Sequence, residues 1–190
     1  LVLLLNITLW FYLLIQPVNS EIVKSIEISG NDRIASETIV MFSNIKLGSD
    51  LSQNDINEIL KNLYETNFFK NINIDLKNGV LTINVEENPI IQEIKFNGIK
   101  QEKLKEFIYD NLNLKNKNSF VEYFAKKDLE VVTNILQQVG YYFADVKSKI
   151  IENNNNTIDL VYDIELGEKA LIKQIKFTGN KIFKEKKLLE

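Results

Sequence analysis

From Glu21 onward, hydrophobic positions along the chain switch between a period of two and a period near 3.6, and the order of the switching recurs. Three segments repeat one short strand pattern: Ile22 to Asn31, Ile90 to Gly98 and Leu171 to Asn180. Each places two large apolar residues two positions apart, Ile26 and Ile28, Ile94 and Phe96, Ile175 and Phe177, so both point to one face of a strand. Each runs into a glycine, at 30, 98 or 179, where the chain can turn sharply. The stretch between successive glycines is long enough to hold one small core.

Within the first stretch, Ser36 to Ser43 predicts a short helix with Ile39, Val40 and Phe42 as its apolar content, and Lys46 to Asp50 predicts a loop. Ser52 and Asp55 have the spacing of a capping box. Ile56, Ile59, Leu60 and Leu63 then fall at i, i+3, i+4 and i+7, the stripe of a half-buried helix. Ile72, Ile74 and Leu76 alternate with Asn73, Asp75 and Lys77; Asn78-Gly79 follows, and Leu81, Ile83 and Val85 alternate in turn. Two alternating runs around Asn-Gly predict a hairpin, because a type I′ turn needs positive φ at both central residues. The order is strand, helix, helix, strand, strand.

The second stretch repeats that order. Leu104, Phe107, Ile108 and Leu112 suit a first helix, and Leu129, Val132, Ile135, Leu136 and Val139 a second, closed by Gly140 as C-cap. A strand from Val146 to Ile150 leads through the solvated turn Asn153 to Asn156, and Ile158, Leu160, Tyr162 and Ile164 form the return strand. A third stretch opens near Glu168 and reaches Glu190 incomplete.

The first twenty residues change the picture. Leu1 to Ser20 carries no charge, and Leu1 to Ile15 is apolar but for Asn6 and Thr8. Pro17, Asn19 and Ser20 then break the run. Such a core with a small residue at its end suits a secretory signal peptide cut between Ser20 and Glu21, its n-region missing. An uncleaved membrane anchor is the alternative, although spanning a bilayer takes roughly 20 apolar residues. With apolar residues all round, this segment is expected to pack against neither module.

Charge and composition remove several functions. The net charge of −3 provides no concentrated basic surface for nucleic acid. The chain has no cysteine and no histidine, which excludes disulfides and thiolate metal sites and removes the usual general base. Glu86 and Glu87 are adjacent, so on a strand they point to opposite faces and cannot act as an acid–base pair. No catalytic, cofactor or metal site is expected. Tyr141, Tyr142 and Phe143, like Phe68 and Phe69, are expected as core anchors where the chain enters the sheet, since exposed aromatic clusters are costly unless they bind. Lys181 to Lys187 reads as the charged coat of a next helix.

A βααββ unit in tandem behind an export signal resembles the POTRA domains of BamA-type outer-membrane assembly factors. Gly30-Asn31-Asp32-Arg33-Ile34 followed by Glu37-Thr38-Ile39 is similar to that family's opening signature. The passages Leu63 to Ile72 and Gly140 to Val146 resemble its entry from helix to strand, and Val85 to Ile91 resembles its module junction. The resemblance covers Glu21 to Glu190. It implies an α+β fold of tandem modules, each with a three-stranded mixed sheet and two helices on one face: 1–20 export signal, 21–88 and 89–167 complete modules, 168–190 the start of a third. It further implies that the region lies on the periplasmic face of a Gram-negative outer membrane, attached through a C-terminal barrel beyond Glu190. There it receives unfolded β-barrel precursors and docks accessory lipoproteins.

Edge strands offer a means of capture without catalysis, since their unpaired N–H and C=O groups can bond an extended chain. If the return strand is central, Asn71 to Lys77 and Ala144 to Ile151 are the edges, with Asn71, Asn73, Asp75, Lys77, Val146, Lys147, Ser148 and Lys149 as binding positions. Proline at Asn73 is expected to remove a ladder donor if that N–H faces outward, and to unfold the strand if it pairs inward. Two other readings remain at this point: a related translocation factor, and an inner-membrane division scaffold similar to FtsQ, which carries one such module behind an anchor.

Overall fold

The computed structural model describes residues 20–176, 178, 179 and 187. Of the expected export signal only Ser20 falls among them; Phe177 and the charged run 181–186 also lie outside. The chain forms two compact units, the first reaching to Ile90 and taking in residues 119–121, the second built from 91–118 and 122 onward.

In the first unit, β1 (Glu21–Ile22), β2 (Ser25–Ser29), α1 (Ser36–Ser43), β3 (Asp50–Leu51), α2 (Gln53–Glu65), β4 (Phe69–Lys77) and β5 (Val80–Glu87) follow in order. The return strand β5 is central, parallel to β2 and antiparallel to β4. Its inward residues Leu81, Ile83 and Val85 meet Ile39, Ile59, Leu63 and Ile72 in one core, as the alternation requires. Ser52 closes the capping box with Asp55, whose carboxylate accepts from the Ser52 N–H at 2.7 Å. The hairpin turns on Asn78 and Gly79, both at positive φ.

The first strand pattern, Ile22 to Asn31, breaks into β1 and β2, and the short strand β3 and its pairing with β1 were not expected. The loop foreseen over Lys46 to Asp50 ends by pairing β3 with the start of the module, Glu21 opposite Leu51. Two-residue strands carry no hydrophobic period. Here they are fixed by Val23, which is fully buried, donates to the Ser49 carbonyl at 2.9 Å and accepts from the Gly48 N–H at 2.7 Å.

The second unit holds β6 (Ile90–Asn97), α3 (Glu102–Asn111), α4 (Glu122–Gln138), β7 (Asp145–Glu152) and β8 (Thr157–Glu165), with β8 central. Gly140 (φ 99°) ends α4 as expected: its N–H reaches the Gln137 carbonyl, and that of Tyr141 reaches Leu136. Those two bonds make a Schellman motif. Asp128 on α4 is buried and accepts from the N–H groups of Asn113 and Leu114 and from the Asn113 side chain, so one carboxylate ties down the turn after α3. Beyond β8, residues 171–176 are exposed and lack regular structure. The strand foreseen there finds no neighbour among the described residues to complete a ladder.

Candidate functional site

With β5 and β8 central, β4 and β7 are open edges. Asn71, Asn73, Asp75 and Lys77 point their side chains away from the helices and are exposed, whereas Ile72 is buried and Ile74 and Leu76 are half-buried. On β7, Val146 is half-buried and Lys147, Ser148 and Lys149 are exposed. Each edge carries an aspartate beside a lysine, Asp75–Lys77 at 2.5 Å and Asp145–Lys147 at 2.6 Å. The hydrogen bond and charge of the aspartate hold each lysine above its ordinary pKa.

The direction of the backbone groups follows from the turns. A two-residue loop makes its flanking residues a hydrogen-bonded pair, here Lys77 with Val80. Bonded and non-bonded pairs then alternate, and the register from Asn71 to Lys77 has no slip. Asn71, Asn73, Asp75 and Lys77 therefore turn their N–H and C=O groups inward to β5. Ile72, Ile74 and Leu76 turn theirs outward. A second observation agrees: the Ile72 N–H donates to the Tyr64 hydroxyl at 3.1 Å, not to β5. In the second unit Asn153 donates to the carbonyl of Thr157 opposite, so the same alternation sends the groups of Val146, Ser148 and Ile150 outward.

The condition set for Asn73, an outward N–H, is not met. Its side chain faces solvent, but its N–H is committed to the ladder with Asn84, and proline there would break the module's own sheet. Lys147 and Lys149 stand likewise: their side chains line the edge while the donors sit on Val146 and Ser148.

The aromatic residues divide. Phe69 is core, and Phe68 is half-buried between Phe42 and Phe69, with ring centroids 5.9 and 6.3 Å away. Tyr142 is 60% exposed and Phe143 81%, against the expectation of core anchors. The Ala144 N–H bonds back to the Tyr141 carbonyl at 3.3 Å, closing a turn with Tyr142 and Phe143 at its tip. Only Tyr141, with the Lys169 ammonium 5.6 Å from its ring centre, stays half-buried.

The acidic pair splits as strand geometry demands. Glu86 is exposed beside Lys70, whereas Glu87 is 7% exposed and accepts from the N–H groups of Arg33 and Ile34 at 3.0 and 2.7 Å. Its neighbour Asn88 donates to the carbonyls of Asn67 and Phe68. Three stretches singled out separately in the sequence, at 30–34, 66–68 and 85–88, are one hydrogen-bonded cluster. Its buried carboxylate was missed because an acidic pair at a strand end reads as solvated. At the start of the unit, the Ser20 hydroxyl donates to Asp50 at 2.9 Å, and the Glu21 carboxylate accepts from the Gly79 N–H.

Asp55 lines an open, polar cleft of about 340 Å³ with Asp50 and Glu58. Its hydrogen bonds with Ser52 lower its pKa, the opposite of what a general acid at neutral pH needs. Among the described residues no helix is long and apolar enough to cross a membrane.

Two βααββ modules in tandem, each a mixed sheet with its hairpin strand, β4 or β7, at an edge, define a tandem repeat scaffold. The chain belongs to the POTRA family, described as surface antigen variable number repeat, which matches residues 21–88 and again 89–167. It resembles the outer membrane protein assembly factor BamA of Buchnera aphidicola, 25% identical over 184 residues covering 95% of this chain and 30% of that protein. It also resembles the BamA of Neisseria meningitidis serogroup B, 25% identical over 88% of this chain and 21% of the relative. The chain thus spans less than a third of the length of these curated relatives. Among solved structures, the N-terminal domain of Omp85 from Thermosynechococcus elongatus superposes with a TM-score of 0.52 at 14% identity, covering 76% of this chain and 63% of that one. That likeness bears on the fold.

Proposed function

We propose that these modules form the periplasmic receiving region of an outer-membrane β-barrel assembly factor, behind a signal removed after Ser20 and ahead of further modules and a membrane barrel. Unfolded barrel precursors pair along β4 and β7, and accessory lipoproteins dock on the module surfaces. The observation that carries this reading is the outward row of backbone groups on Ile74 and Leu76, matched on β7 by Val146, Ser148 and Ile150. Backbone pairing is indifferent to side-chain identity, which suits a receptor for many precursors. The exposed Tyr142 and Phe143 beside β7 add a protein-contact surface of the kind that otherwise carries a solubility cost.

A photocrosslinker placed at Asn73 or Lys149 should capture an unfolded barrel precursor far more often than one at Glu130, which is exposed on α4. Equal capture at all three positions would remove the edges from the mechanism. Asn73→Ala should leave capture unchanged, because the side chain makes no part of the ladder.

A further inference from the structure

We propose that Tyr64 determines where an incoming strand starts to pair on β4, an inference that rests on the edge-pairing function above. Tyr64 lies in the last turn of α2 and is 42% exposed, and its hydroxyl accepts the outward N–H of Ile72. That donor would otherwise be the first rung offered by the edge. With it occupied, the free donors on β4 begin at Ile74.

The second module places no such cap. Ile72 and Val146 are equivalent: each pairs with the return-strand residue, Val85 or Ile164, whose carbonyl lies against the repeated glycine. The left-handed residues Asn67 and Gly140 end the preceding helices in both modules. Counting back from them, the position of Tyr64 is held by Gln137. Among the described residues no side chain accepts the Val146 N–H. The passage into β7 is also one residue longer than that into β4, and it carries the exposed turn at Tyr142 and Phe143. The two edges therefore present ladders of different length: β7 is open from its first helix-facing residue, and β4 is closed there. Tyr64 is a positioning residue, setting the register of a partner by blocking one rung.

The test is amide hydrogen exchange, read residue by residue in the full chain, with Tyr64→Phe, which keeps the ring and removes the hydroxyl. Protection at Leu81 and Ile83, buried in β5, reports that the variant is folded; Tyr64→Leu serves as a second hydroxyl-free variant and should behave alike. In Tyr64→Phe the Ile72 amide should exchange roughly fivefold faster, the effect of one lost hydrogen bond. The probe is a soluble peptide of alternating valine and threonine with lysine at each end. It should slow exchange at Ile74 and Leu76 in the wild type, extend that slowing to Ile72 in Tyr64→Phe, and bind the variant roughly fivefold more tightly. If Ile72 exchanges equally in the two free proteins, or if peptide protection stops at Ile74 in both, Tyr64 does not set the register and the inference falls alone. If the peptide protects no residue of β4 in either protein, the receiving-edge function falls as well.

Discussion

Gly30 and Gly98 occupy the same point in two modules, and each has two reasons to be glycine. Both have positive φ, 80° and 85°, which the sequence made readable as turns. The second reason appears only in three dimensions: a Cβ would lie 2.0 Å from the Val85 carbonyl oxygen at Gly30, and 1.8 Å from that of Ile164 at Gly98. The first strand is pressed against the central strand at that position. Gly98→Ala is expected to destabilise the second module by about 3 kcal/mol, the sum of a strained φ and a displaced strand; a denaturant titration following its unfolding would measure it. Tyr162 is the opposite case. It read as one apolar position of a return strand, and it is fully buried with Phe96 stacked on it at 5.4 Å. Its hydroxyl finds no acceptor among the described residues, and burial, then the charge of Asp128, push its ionisation well above the ordinary phenol range. Tyr162→Phe should therefore hold or raise stability, by up to about 1 kcal/mol, because it removes a polar atom without a partner. A fall in melting temperature would show that the hydroxyl is satisfied.

At the scale of elements, legibility followed period and caps. The helix stripe from Ile56 to Leu63, the capping box at Ser52 and the Asn78-Gly79 hairpin each carry a local signal and were readable. The strands β1 and β3 carry none, since their pairing depends on where Val23 is buried. The direction of the edge amides was an intermediate case. It follows from the turn length, which the sequence contained, but the side-chain alternation by itself left the direction of the Asn73 N–H open. Side chain and N–H of an edge residue are separate variables. Ser52→Ala should cost about 1 kcal/mol, as loss of an N-cap usually does. The hydrogen bonds with Ser52 depress the Asp55 pKa, so their stabilising contribution is present above the ordinary carboxylate range and is lost as pH falls through the lowered value. The stability gap between wild type and Ser52→Ala should accordingly narrow in acid, and a gap constant down to low pH would refute the assignment. Tyr142 and Phe143 were misread because nothing in the pattern announces the one-residue insertion that makes them a turn.

For the molecule as a whole, the repeat was the most legible feature, since three strand patterns ending on glycine announce it before any element is assigned. The first module begins at once: Glu21 lies in β1 and its carboxylate holds the Gly79 N–H of the hairpin. N-terminal sequencing of the exported protein should start at Glu21, and a mature chain retaining Leu1 to Ile15 would instead favour an anchored protein. In both modules the outward amides of the edge belong to residues that face the helices, Ile72, Ile74 and Leu76 in one, Val146, Ser148 and Ile150 in the other. On β4 those three side chains pack into or against the core, so the edge is presented by residues that folding itself keeps in place. Mutation can rewrite the solvent-facing row Asn71, Asn73, Asp75 and Lys77 without altering the donors and acceptors on offer. A surface of this kind is buffered against drift: under the proposed function, lineages could diverge widely in sequence while an extended partner met the same row of backbone groups.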